Sequence, residues 1–361
     1  MTDIRINLHS DTQTQPTPAM KEAMMAAELG DEQSLNDPTA NALQEKVAAL
    51  LGKEAALLMP SGTMCNVAAI AVHCKTGDEI LCDKTSHIVN AEAGGIGMLG
   101  AMVRPIDGDN GIYTADQLEA AVRPARRHAP NSKLVEVEQT SNAGGGTVWP
   151  LKTIQGVTKV AKEHGLILHM DGARLLNAVV ASGVDAKTYA EPFDSLWIDL
   201  SKGLGCPIGG VLAGSKDFIE QAWQWKQRLG GAMRQSGIIA AAGLYALDHH
   251  IDRIAQDHAN ARLFAEKVAN LPGISVDLET VQTNMIFFDV SGAGITAQQM
   301  EKGLAEQGVK ISAVSNARLR AVTHLDVTSS DAEEAADAVR AVLEQTPKSD
   351  ISQIATTEQV L

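Results

Sequence analysis

Lys202 occupies a setting that a surface lysine does not need. It follows Ser201 at the end of the apolar run SLWIDL and precedes Gly203, Leu204, Gly205, Cys206 and Pro207. Burial disfavours an ammonium ion and leaves a nucleophilic amine able to form a Schiff base with a carbonyl. Glycines beside it let a flat molecule approach bare backbone. Three other stretches carry reactive groups in comparable places. In MPSGTMCN, Ser61, Gly62 and Thr63 offer a hydroxyl and backbone amides between a strand and a helix, where the helix dipole favours an anion. In HMDGARL, Asp171 closes an apolar strand and Arg174 follows, so the carboxylate either pairs with an arginine or faces a protonated ring nitrogen. His87, in KTSHIV, is either a ring available for stacking or a hydrogen-bonded structural residue.

Taken singly, each stretch has an ordinary structural reading: a capped helix start, an ion pair, a lysine in a turn. Together, a phosphate cradle, a stacking ring, a strand-end carboxylate and a strand-end lysine describe the binding of pyridoxal 5'-phosphate, whose protonated ring accepts electrons from a carbanion. The surrounding elements must bring these groups to one place. Apolar runs at 55–60, 79–83, 133–138, 166–171, 195–200 and 209–214 alternate with helical patterns, which predicts an α/β domain with a mostly parallel central sheet. Ligands of such sheets collect at the carboxyl ends of the strands. The alternation stops near residue 245. We expect a large α/β domain over 1–245 that includes the N-terminal segment, a smaller α+β domain over 246–345 and a polar tail over 346–361.

Composition narrows the function classes. With 45% hydrophobic and 20% charged residues in 361, the chain reads as a globular protein. Its formal net charge of −14 argues against a nucleic-acid surface, which needs a broad field of lysine and arginine. No apolar run reaches the roughly 18 to 20 residues of a membrane span, and the N-terminal stretch lacks the basic start and apolar centre of a secretory signal. Cys65, Cys74, Cys82 and Cys206 form neither a disulfide framework nor a CxxC metal clip, so a cytoplasmic protein without a metal is expected.

The motifs LHSDTQTQPT, DPTANAL, PSGTMCN, DGAR, LSKGLGCP, GGAMRQ followed by AAAG, TNM and RAVTHLDV occur in this order along the chain. In them the sequence resembles the L-threonine aldolases, within the β-eliminating-lyase group of fold type I pyridoxal-phosphate enzymes. The resemblance implies a fold type I, transferase-like architecture and retro-aldol cleavage of L-threonine, L-allo-threonine or related β-hydroxy-α-amino acids, phenylserine among them, to glycine and an aldehyde. It implies that Lys202 carries the cofactor, His87 stacks on its ring, Asp171 faces the ring nitrogen, and Ser61, Gly62 and Thr63 take the phosphate. Arg174 and Arg320, with Ser10, hold the substrate carboxylate, Arg174 standing close to the cofactor as well. Arg234 reaches the phosphate of a neighbouring subunit, implying a homo-oligomer, dimer or tetramer, with shared sites.

Two stretches depart from the family pattern. GDEQSLNDPT has Ser34 where the family has a tyrosine and Leu35 where it has a glycine, and EQTSNAGGG has Ser141 in place of a histidine near the substrate's β-hydroxyl. A serine is a poor base at neutral pH, so Ser141 is expected to position a water that shuttles the hydroxyl proton to His87 or the cofactor phosphate. Both changes surround the β-substituent and leave room for bulkier or aromatic substrates. The same cofactor set would serve an alternative reaction, β-elimination from a β-substituted amino acid.

Overall fold

The apolar runs ending in Met59, Asp83, Glu138, Asp171 and Asp199 become co-directional strands of one sheet. The computed structural model describes residues 3–345 and contains β1 (Ile6–Asn7), β2 (Ala55–Met59), β3 (Asp78–Asp83), β4 (Met102–Ile106), β5 (Asn131–Glu138) and β6 (Ile167–Gly172). It continues with β7 (Ser195–Asp199), β8 (Gly210–Gly214), β9 (Met285–Asp289), β10 (Val309–Lys310), β11 (Ser312–Ala313) and β12 (Arg318–Val322). The large sheet has the order β2-β8-β7-β6-β5-β3-β4. Only β8 runs against its neighbours, β2 and β7; the other pairs are parallel. One edge of the sheet therefore collects the carboxyl ends of six strands. The direction of connection reverses between β3 and β5, and a crevice opens at such a point.

Alternation of side chains explains why these strands are apolar throughout. Leu196 and Ile198 of β7 enter one core cluster, with Leu43, Val47 and Leu51 of the helix Pro38–Leu51, while Trp197 between them joins Cys65, Ala69 and Phe218 on the other face. β4 is not legible as a strand in MVRPI, because Arg104 and Pro105 interrupt the apolar run. It sits at the sheet edge, where a proline leaves no hydrogen bond of an inner strand unmade.

The C-terminal elements bury a second cluster. β9, β12 and β11 form an antiparallel sheet, packed with the helices Ile254–Ala269, Ala297–Glu306 and Ser329–Gln345. The N-terminal segment joins this cluster: β1 pairs in parallel with β10, Ile6 and Leu8 are buried in it, and the Val322 amide donates to the Leu8 carbonyl at 2.9 Å. Residues 346–361, the expected polar tail, lie outside the described residues. Among the described residues no helix is long and apolar enough to cross a membrane.

Candidate active site

A cavity of about 290 Å³ lies at the carboxyl edge of the large sheet and is closed on one side by Arg320 of β12. The helix Gly62–His73 begins at its rim. Ser61 caps that helix, its Oγ accepting the Met64 amide at 3.2 Å, while Gly62 and Thr63 border the cavity. A Cβ on Gly62 would stand 2.2 Å from Cη2 of Trp197, so only glycine lets the backbone lie this close to the indole.

Asp171 ends β6 and is almost wholly buried, and both its oxygens accept N–H groups: Oδ1 from the Ala173 amide at 3.0 Å and Oδ2 from Asn66 Nδ2 at 2.8 Å. His87 follows β3. Its amide donates to Glu138 Oε2 at 2.7 Å and its Nδ1 meets Glu92 Oε1 at 2.8 Å, which leaves Nε2 for a bound molecule. The bond to Glu92 raises the His87 pKa above the ordinary histidine value, and burial opposes it. Glu138, at the end of β5, also lines the cavity. Burial, with Asp171 adding its charge, pushes its carboxyl up to about 7.

Lys202 lies just past β7 with its Nζ 3.0 Å from Asp199 Oδ2 and 5.7 Å from the centre of the Trp197 ring. Arg174 is buried and grips Asp11 through two bonds, Nε to Oδ2 at 2.8 Å and Nη2 to Oδ1 at 2.7 Å. Burial alone would raise the Asp11 carboxyl, but the Arg174 charge and these bonds hold it well below the usual carboxylate range. Arg320 is placed differently. Its Nη1 reaches Asn142 Oδ1 only at 3.5 Å, and its Nε is buried without a hydrogen-bond partner. Burial and then the nearby Arg174 charge work against this cation. An anion in the cavity would satisfy the donor and offset the repulsion.

The structure thus gathers Ser10, Gly62, Thr63, His87, Asp171, Arg174, Lys202 and Arg320 around one space. Three predicted residues stand apart from it. Ser61 is spent as the helix cap. Ser141 is buried in a turn, its Oγ accepting the Gly144 amide at 3.2 Å, and its neighbours Thr140 and Asn142 face the cavity instead. Arg234 is exposed and pairs with Asp31 at 3.1 Å. Ser34 also turns to Asp31, and Leu35 holds a left-handed backbone with φ of 57°, the conformation for which glycine is suited. Glu138, Asn142, Trp197 and Asp199 were not singled out from the sequence. Asp199 and Trp197 had a legible signal, since both lie on the strand that leads into Lys202.

A strand-end lysine and aspartate beneath a second, smaller unit define the class, and the chain belongs to the β-eliminating lyase family, whose model matches residues 7–291. Within it the chain is 41% identical over 340 residues to the low specificity L-threonine aldolase of Escherichia coli (strain K12), spanning 94% of this chain and 99% of that one. It is 40% identical over 333 residues to low-specificity L-threonine aldolase 1 of Arabidopsis thaliana, spanning 90% and 93%. Leishmania major threonine aldolase has the same fold, with a TM-score of 0.81 at 18% identity over 94% of this chain and 99% of the other.

Proposed function

We propose that this chain cleaves L-threonine and related β-hydroxy-α-amino acids to glycine and an aldehyde, with pyridoxal 5'-phosphate as cofactor. The observation that carries the reading is the convergence on one cavity of Lys202 and His87, which follow β7 and β3, with Asp171 of β6 and Arg320 of β12. The residues suit the cofactor: Gly62 and Thr63 open a helix N-terminus at the cavity, where an anion is favoured, and the buried Arg320 Nε awaits an anionic partner. Lys202 would hold the cofactor, Gly62 and Thr63 its phosphate at the helix start that Ser61 caps, Asp171 its ring nitrogen and His87 the ring face. When bound, pyridoxal phosphate supplies an electron-accepting ring that draws off the electron pair of the substrate's Cα–Cβ bond.

The chain's own groups do the rest. Arg320 binds the substrate carboxylate, with Ser10 and the outward-facing part of Arg174 beside it. That grip orients the Cα–Cβ bond and so selects it for cleavage. His87 Nε2 takes the proton of the β-hydroxyl, Glu92 steadying the charge that forms on the ring. Asp199 receives the Lys202 ammonium whenever the amine is free. The space near Thr140 and Asn142 takes the β-substituent, aromatic ones included. The free thiols of Cys65, Cys74, Cys82 and Cys206 suit the cytoplasm. Arg234 serves the phosphate of a neighbouring subunit in a homodimer or tetramer; exposed Met25, Leu29 and Leu35 supply apolar surface for such contacts.

Incubation of the holoenzyme with L-threonine, L-phenylserine and a β-substituted cysteine, with aldehyde and ammonia measured separately, tests the reading. Aldehyde with glycine and no ammonia is expected from the first two, and Lys202→Ala abolishes it. Ammonia without aldehyde would mean that the chain is an eliminating lyase.

A further inference from the structure

A line of polar side chains runs from Asp171 between the large sheet and the helix Gly62–His73 toward the opposite edge of the sheet. Asn66 Nδ2 donates to Asp171 Oδ2 at 2.8 Å and to Glu92 Oε1 at 2.7 Å. Asn66 Oδ1 faces Trp197 Nε1 at 2.8 Å and His169 Nε2 at 3.1 Å. Next, His169 Nδ1 lies 2.8 Å from Ser195 Oγ, which lies 2.8 Å from His73 Nε2. Asn66, His169 and Ser195 are wholly buried. His73 stacks on Phe218 with ring centroids 4.7 Å apart and borders a separate cavity of about 590 Å³.

Every proton in this line has one allowed position. An indole N–H can only donate, so the Asn66 atom facing Trp197 is its carbonyl oxygen and both amide hydrogens point to Asp171 and Glu92. His169 must then donate from Nε2 to that same oxygen. Burial holds the His169 pKa down at about 3 and that of His73 at about 4, so both rings are neutral and carry one N–H each. Nδ1 of His169 is therefore an acceptor and takes the only hydroxyl proton of Ser195. Ser195 in turn accepts the Nε2 proton of His73. Each donor points toward Asp171.

This direction matters because Asp171 is crowded by acids. Carboxylate oxygens of Glu92, Glu136 and Glu138 lie within 4.8 Å of it, and such crowding drives a proton onto one of the group. Asp171 accepts an N–H on each oxygen, whereas Glu136 Oε1 has no partner and burial pushes the Glu136 carboxyl well above the usual range. An Asn66 amide turned the other way would set its oxygen against Asp171 Oδ2 and take this donor away.

We propose that Asn66, His169, Ser195 and His73 are positioning residues that act as one directional relay, fixing Asp171 as an acceptor-only carboxylate and thereby keeping the cofactor's ring nitrogen protonated. The relay rests on the proposed placement of that nitrogen against Asp171. Solid-state 15N NMR of holoenzyme loaded with pyridoxal phosphate labelled at the ring nitrogen reads the protonation directly. The wild type is expected to give a pyridinium resonance. Ser195→Ala, which deletes one hydroxyl and opens little space, shifts it toward unprotonated pyridine; Asn66→Leu shifts it further, and Ser195→Thr restores it. A Ser195→Ala holoenzyme with full cofactor loading and an unmoved resonance overturns the relay, even if its melting temperature falls, because a merely structural hydroxyl would behave that way. Should Asn66→Leu fail to fold, the pair Ser195→Ala and Ser195→Thr decides alone. A wild-type chain that takes up no pyridoxal phosphate removes the active-site reading itself, and the relay with it.

Discussion

Arg320 and Arg174 are the same residue type a few ångströms from one asparagine, yet they do different work. Arg174 has its planar fork closed on Asp11, a contact that ties the N-terminal segment to the strand-end loop after β6. Arg320 has an unpartnered Nε and a long contact to Asn142, so it is the guanidinium open to a substrate carboxylate. A hydrogen bond to a charged group contributes about 1.5–3 kcal/mol, so Arg320→Ala is expected to lower kcat/KM by roughly 10- to 100-fold. Most of that loss belongs in KM, and Arg320→Lys recovers little because an ammonium cannot reproduce the fork. Steady-state kinetics with L-threonine checks this; an unchanged KM in Arg320→Ala would move the carboxylate site elsewhere. At this scale Lys202, Asp171 and His87 were legible because each lies at or just after the end of an apolar run. Asn142 and Glu138 were not, since their importance lies in which neighbours surround them.

The helix Ile254–Ala269 spans both cores, Ile254 packing in the first and Phe264 and Val268 in the second. His258 on this helix accepts the Asn177 side-chain amide at 3.2 Å, and burial lowers its pKa to about 4. The unfolded chain, with an ordinary histidine, takes up that proton first, so His258 contributes stability above pH 6.5 that is lost as the pH falls toward 4. The loss amounts to about 2 kcal/mol by pH 5. Buried Glu138 and Asp257, raised to about 7 and about 6, act with the opposite sign in part of this window. The test is therefore a difference: urea unfolding should show His258→Gln losing less stability than wild type between pH 7 and pH 5. Parallel slopes for the two proteins would contradict the assignment. Elements were legible where periodicity was unbroken. β4 escaped notice because Arg104 and Pro105 are tolerated only by an edge strand, and edge position is a property of the whole sheet.

In the whole molecule, Arg234 is the residue that a single chain leaves unexplained. Its side chain is 62% exposed, lies outside the cavity of its own chain and pairs with Asp31. If its task is the phosphate of a neighbouring subunit, Lys202→Ala and Arg234→Ala each inactivate the protein alone. Mixed oligomers of the two variants then regain activity, because some sites combine a wild-type Lys202 from one chain with a wild-type Arg234 from the other. Activity assays after joint refolding, beside sedimentation to establish the assembly, provide the check. No recovery in a proven mixed oligomer would confine each site to one chain.

The amino-acid order alone was enough to establish the alternation of strands and helices, the position of the reactive residues at strand ends, and the family. These depend on local apolar runs and on side chains a few residues apart, which a linear string records. It could not establish that Leu8 and Val322 join through their backbones, bringing Ser10 and Arg320 to the same cavity. Nor could it show Asn66, His169, Ser195 and His73 as a single hydrogen-bonded line. Those facts come from chain packing, because directional contacts between distant segments exist only after separate hydrophobic faces have been buried against one another.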